Sequence, residues 1–274
     1  MTTRVDLPAG ATLFVEESFA VPLVSISFAL RTGSAQDPPG KEGLARIAMR
    51  MLRRGAAGMT SPVIEDAIDR LGAEMAVDTG ASSVAMHAQV IARSLDAFVD
   101  LLTNLVTNPT FPEDEFERLR RETLAEIVES RDNDKALCQS AFRKALFPGH
   151  AYGRGGTGTK ASVASLTLDD VRGFYAKHLV QGNVVIGMSG AVSTADAEVL
   201  AKKLLAGRPA SPAVPDEVPE PTGPVGRSLV FVDKPERTQT QILVGCLGSA
   251  PRDPDHTAFG IANAIFGGRS RRVS

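Results

Sequence analysis

Histidine and cysteine are scarce in this chain, which has four histidines and two cysteines in 274 residues. His87, His150, His178 and His256 show no i, i+4 pairing and none clusters with a cysteine. A zinc site draws three or four ligands from compatible local spacings, so these histidines read as scattered structural or surface groups. Cys138 and Cys246 lie far apart without metal-type spacing. They read as small core residues and give little sign of an oxidising compartment. Long apolar runs are also missing: no segment approaches the ~20 residues of a membrane-spanning helix. The opening "MTTRVDLPAGATLFVEES" lacks the apolar stretch of a secretory signal. As written, the sequence is expected in the cytoplasm, with a periplasmic or membrane-associated location if translation starts elsewhere. A net charge of −2 gives no global attraction to nucleic acid or to an anionic membrane. Nothing local marks an activated serine or cysteine nucleophile either.

What is present is ordinary globular material, 43% apolar and 23% charged, enough for one large domain or two smaller ones. "ATLFVEES" and "VPLVSISFALRTG" read as consecutive strands, the second placing Val24, Ile26, Phe28 and Leu30 on one face. "SPVIEDAIDRLG" reads as a helix with Ser61 as cap, Pro62 at its first position and Gly72 as its stop. Two strands follow, over 73–77 and 83–90. A long helical stretch then runs from 94 to 146, broken at "TNPTFPED" and "DND". Beyond it come a helix capped by Thr167, a buried strand "GNVVIGMSG" and a helix ending at Gly207. This order predicts an α+β fold, helices packed on one face of a largely antiparallel sheet. The proline-rich stretch over 208–226 is the linker. After it the pattern restarts as strand "SLVFVDK", strand "TQTQILVGCLG" and helix "DPDHTAFGIANAIFGG". The predicted organisation is a first domain over 1–207, the linker, and over 227–274 the opening of a second copy of the same fold.

Three stretches could carry chemistry. "GRGGTGTK", residues 153–160, has the look of a phosphate loop, but Thr159 separates the glycine from the lysine and no strand feeds it, so it reads as a glycine-rich surface turn. In "GLARIAMRMLRRGAAG", residues 43–58, Leu44, Ile47, Ala48, Met51 and Leu52 form one helical stripe. Arg46, Arg50, Arg53 and Arg54 fill the opposite face. Glu115, Glu122, Glu126 and Glu129 recur along one side of a later helix, which reads by itself as a solvated face braced by Glu–Arg pairs.

In order along the chain, "RTGSAQDPPGKEGLARIAMRMLRRGAAGMT", "HAYGRGGTGTKASVASLTLDDVRGFYAKHLVQGNVVIGMSGAV" and "DKPERTQTQILVGCLGSAPRDPDHTAFGIANAIFGG" resemble segments of the insulinase or pitrilysin-type zinc peptidases, the mitochondrial-processing-peptidase-like members in particular. The resemblance places the family's H-x-x-E-H helix on Arg46, Met49 and Arg50: both zinc-binding histidines and the catalytic glutamate are replaced. Glu126, in "ETLAEI", matches the third ligand and stands alone. The resemblance therefore implies no catalytic residues, no cofactor and no metal in this chain. Arg50, with Arg46, is expected to pair with Glu126 and Glu122 where the metal would sit.

It further implies a non-catalytic subunit that supplies a chamber wall and peptide holding to an active partner bearing H-x-x-E-H, where the zinc would reside. Partners are thus a homologous subunit and a peptide, with no nucleic acid and no membrane insertion. The alternatives are an assembly protein of the same fold, like respiratory-complex core subunits, or a non-functional truncated product. The ending "FGGRSRRVS" departs from the family's "GGxFxSRL", and a frameshifted or early-ended reading frame is expected, without the second-domain Arg/Tyr pair that helps hold peptide. Ile242, Val244, Ile261, Ile265 and Phe266 are then expected to be left partly bare.

Overall fold

The computed structural model describes residues 1–215, 217–235 and 237–267. Strand β1 (Thr3–Asp6) leads to β2 (Thr12–Glu17) and β3 (Leu23–Leu30), and helix α1 (Leu44–Met51) follows. A small hairpin of β4 (Gly55–Ala56) and β5 (Met59–Thr60) precedes α2 (Ser61–Arg70), β6 (Glu74–Thr79) and β7 (Val84–Ile91). Then come α3 (Leu95–Thr107), α4 (Glu113–Glu129), α5 (Asp134–Leu146) and the short α6 (Lys160–Ser165). The unit closes with α7 (Leu168–His178), β8 (Val184–Gly190) and α8 (Thr194–Leu205), and α9 (His256–Gly267) lies further along.

The main sheet has the order β1-β2-β8-β3-β7-β6. The two early strands are consecutive in sequence but not neighbours. β8 inserts between them, parallel to β2 and antiparallel to β3, with Ile186 opposite both Leu13 and Phe28. Period-two alternation then does the rest. Val24, Ile26, Phe28 and Leu30 share one face with Val84, Met86 and Val90 of β7 and with Val184, Ile186 and Met188 of β8, and all are buried. Helices α1, α3, α4, α7 and α8 contribute to the same core. The opposite face carries Ser25, Ser27, Gly187 and Ser189 around an open cleft. The architecture is α+β, as the strand–helix order predicts.

Local stop and start signals explain the helix ends. Thr167 accepts from the Asp170 N–H while the Asp170 carboxylate accepts from the Thr167 N–H, a reciprocal cap that starts α7. The cap of α2 is Thr60 rather than Ser61, which is the first helical residue, and neither gives that end a side-chain cap. α1 is shorter than its apolar stripe implies. It stops at Met51, because Gly55–Ala56 must pair with Met59–Thr60, and Arg53 and Arg54 sit in the turn between.

Three expectations are corrected. The strands anticipated over 228–234 and 238–248 are absent among the described residues: extended backbone needs a neighbouring strand, and none lies beside them. Cys246 is exposed and Cys138 only half-buried, so neither is a core residue; both are unpaired thiols. The glycine-rich segment 153–158 is a turn as expected, but a half-buried one rather than one open on the surface. The expected baring of apolar side chains is met: Ile242, Val244, Ile261, Ile265 and Phe266 are all exposed. The departure in the tail, over 268–274, lies outside the described residues.

Candidate functional site

α1 is held at its first turn by a residue distant in the turn before it. The Asp37 carboxylate accepts from the Gly43 N–H at 2.8 Å and from the Ala45 N–H at 2.9 Å, satisfying two of the orphan donors of the helix start. Burial pushes the Asp37 carboxyl up to about 6, against the pull of those two bonds and of Arg154. Gly43 sits at φ +100°, and a Cβ there would stand 2.8 Å from the Thr157 carbonyl oxygen. Gly158, at φ +83°, passes the Glu42 carbonyl so closely that a Cβ would lie 2.1 Å from it. Arg154 donates to the carbonyls of Ala35 and Asp37 at 2.8 and 2.9 Å. "GRGGTGTK" is therefore a clamp on the base of α1. Sequence reading missed Asp37 and Arg154; the "SAQDPPG" turn before the helix was the available signal.

From that base α1 turns Leu44, Ile47, Ala48 and Met51 inward and presents Arg46 and Arg50 toward α4. α4 buries Phe116, Leu119, Thr123 and Ile127, which brings Glu115, Glu122 and Glu126 against the arginines. Arg46 Nη1 meets Glu126 Oε2 at 2.7 Å, and Arg50 Nη1 meets Glu126 Oε1 at 3.2 Å. Arg50 Nη2 lies 3.6 Å from Glu122 Oε2, which also takes Arg54 Nη2 at 2.8 Å. Arg54 Nη1 reaches Glu115 at 3.2 Å, and Arg53 Nη2 reaches Glu65 at 2.7 Å. The four arginine side chains are 17–24% exposed, so they are not simply solvated. Glu129, the last of the four glutamates, is exposed instead.

The electrostatics follow from this packing. Partial burial pushes Glu126 upward, but the hydrogen bonds and charges of Arg46 and Arg50 outweigh it and hold its carboxyl below the usual value. Burial and the neighbouring charge of Arg46 lower Arg50, while Glu126 and Glu122 pull it back. Met49 contributes nothing to this cluster, since its side chain is fully buried in the core.

A zinc ion does not fit these residues. Both oxygens of Glu126 are engaged by guanidiniums, and Arg46 and Arg50 are cations without a lone pair to donate. Among the described residues no three His, Cys, Asp or Glu side chains stand close enough to share a metal. The histidines are dispersed. His178 is buried, its Nδ1 3.0 Å from the Thr32 hydroxyl, and burial with the Lys177 charge pushes it down to about 4. His87 lies near Asp78, His150 packs on Tyr152, and His256 meets the Ser249 hydroxyl.

The family profile described as insulinase (peptidase family M16) matches residues 14–160, more than half of the chain. The chain belongs to the M16 peptidase family. Residues 165–273 match the profile described as the peptidase M16 inactive domain. An uncharacterized zinc protease of Streptomyces coelicolor is 26% identical over 98% of this chain and 60% of its own length. A Helicobacter pylori protein named as a non-peptidase homolog is 21% identical over 66% of this chain and 42% of its own. The crystal structure of a peptidase M16 inactive domain from Pseudomonas fluorescens superposes with a TM-score of 0.75 at 26% identity, covering 81% of this M16 chain and 54% of that one. The chain thus spans about 60% of the length of the Streptomyces relative it matches.

Proposed function

We propose that this M16 homologue is a non-catalytic subunit, contributing a chamber wall and peptide holding to a homologous chain that carries H-x-x-E-H and the zinc. The observation that carries this reading is the pairing of Glu126 with Arg46 and Arg50, which fills the ligand cluster with permanent cations. A hydrolase of this type needs a metal-activated water, and this cluster offers neither an imidazole ligand nor a carboxylate free to act as base. The inactive-domain profile, and the non-peptidase name of the Helicobacter relative, support the same reading. Its organisation is a first domain over 1–207, a linker over 208–226 and the start of a second domain from 227.

The test is reconstitution. The chain is purified alone and together with an H-x-x-E-H homologue from the same genome, and zinc content and cleavage of a quenched fluorogenic peptide are measured. The expected result is no turnover by the chain alone, a stoichiometric complex, and turnover by the pair above that of the partner alone. Chelator-sensitive cleavage by the isolated chain would overturn the absence of catalysis. Failure of the two chains to associate would overturn the subunit role.

A further inference from the structure

Beside the arginine–glutamate cluster lies a cavity of about 580 Å³ whose charged wall is formed by Arg46, Arg50, Arg53, Arg54 and Arg118 with the single carboxylate of Glu65. Glu115, Glu122 and Glu126 pair with these arginines but do not line the cavity. The cavity lining is therefore rich in guanidinium groups, while three of the neutralising carboxylates lie outside it. Five arginines against four glutamates leave one positive charge unbalanced in the cluster.

Two further features point the same way. The start of α2, where Ser61 and Pro62 line the cavity, has neither a side-chain cap nor an acidic residue in its first turn. An uncapped helix start carries partial positive charge and favours an anion. The cavity also borders β6 at Val77, and β6 is one of the two edge strands of the sheet. An extended peptide added along such an edge would direct alternate side chains toward the cavity.

We infer that this cavity is a carboxylate-binding site that selects acidic side chains in an extended peptide, Arg46 and Arg118 supplying the donors. The inference rests on the peptide-holding reading above and adds its substrate class. Guanidiniums match carboxylates in fork geometry, and the site gains charge neutrality when one binds.

The experiment uses the full chain and two fluorescent ten-residue peptides, one with two central glutamates and a twin with glutamines there, followed by anisotropy. The acidic peptide is expected to bind about tenfold more tightly at low salt, the advantage shrinking toward unity near 0.5 M salt. Arg118→Gln alters a side chain that is 56% exposed, so the fold is kept, and about a threefold loss is expected for the acidic peptide alone. Arg46→Gln is expected to do the same. Equal binding of the twins would overturn the acidic selectivity and leave peptide holding intact. No binding of either would overturn both. Displacement by inorganic phosphate beyond that caused by sodium chloride of equal ionic strength would mark a free-oxyanion site and overturn the peptide assignment.

Discussion

Replacing Glu126 by glutamine removes one negative charge from between two arginines and leaves the shape nearly unchanged. Arg46 and Arg50 then face each other with only Glu122 near enough to offset Arg50, at 3.6 Å. Exposed ion pairs contribute about 0–1 kcal/mol, and hydrogen bonds to charged groups in drier sites about 1.5–3. With side chains 23–39% exposed, the two contacts fall between those limits after solvent screening, and their joint loss is expected to cost about 2 kcal/mol. For a unit near 200 residues that corresponds to a melting temperature lower by about 4–8 °C. The assay is thermal unfolding at neutral pH of wild type, Glu126→Gln, Arg50→Met and the double variant, at low and high salt. A coupling of about 1 kcal/mol is expected between positions 50 and 126, reduced but not abolished by salt. The sign in acid follows from the same contacts. Because Glu126 is held below its ordinary value of 4.5, its contribution is present above that value and lost as pH falls through the folded pKa. A shift smaller than about 1 °C with no coupling would refute the pairing as a stabilising contact.

Other outcomes follow from the same structure. Arg46→His with Arg50→His sets two imidazoles beside Glu126, and zinc is expected to raise the melting temperature of that variant but not of wild type, as differential scanning fluorimetry would show. Gly158→Ala is expected to lower stability by about 2 kcal/mol or more in urea unfolding, because φ is +83° and the Cβ would meet the Glu42 carbonyl at 2.1 Å. His178 and Asp37 oppose each other in pH dependence. His178, lowered to about 4 from 6.5, contributes above 6.5 and loses that contribution as pH falls through 4. Asp37, raised to about 6 from 3.8, contributes below 3.8 and loses it as pH rises through 6. Wild-type stability from this pair is expected to be flat between those limits, whereas His178→Gln should lose about 3 kcal/mol as pH rises from about 4 to 6, measured by denaturant unfolding across pH.

How much of this was legible in the residues depends on the range of the interaction. The alternation of Val24, Ile26, Phe28 and Leu30, the cap at Thr167 and the helix stop before Gly207 are local effects. Each is decided within a few residues by side-chain period, backbone freedom or a reciprocal hydrogen bond. The expectation that Arg46, Met49 and Arg50 stand at the family's zinc-motif positions likewise needs only the order of residues and the family resemblance. Long-range choices were not. The insertion of β8 between β2 and β3 depends on which strands meet once the helices cover one face, and adjacency in sequence carries no such information. The segments over 228–248 have strand-like composition, yet their backbone groups find no neighbouring strand among the described residues.

The arginine row shows the division most clearly. The sequence by itself determined that this face of α1 is cationic and cannot bind zinc as two histidines do. Only the tertiary structure decided what those cations do. α4 packs Phe116 and Leu119 inward and thereby delivers three glutamates to the arginines, while the turn after Met51 swings Arg53 toward Glu65 and Arg54 toward Glu115. Charge is a property of a residue, but its partner is set by which apolar faces bury one another, and the partner determines whether the charge is solvated, paired or left facing a cavity.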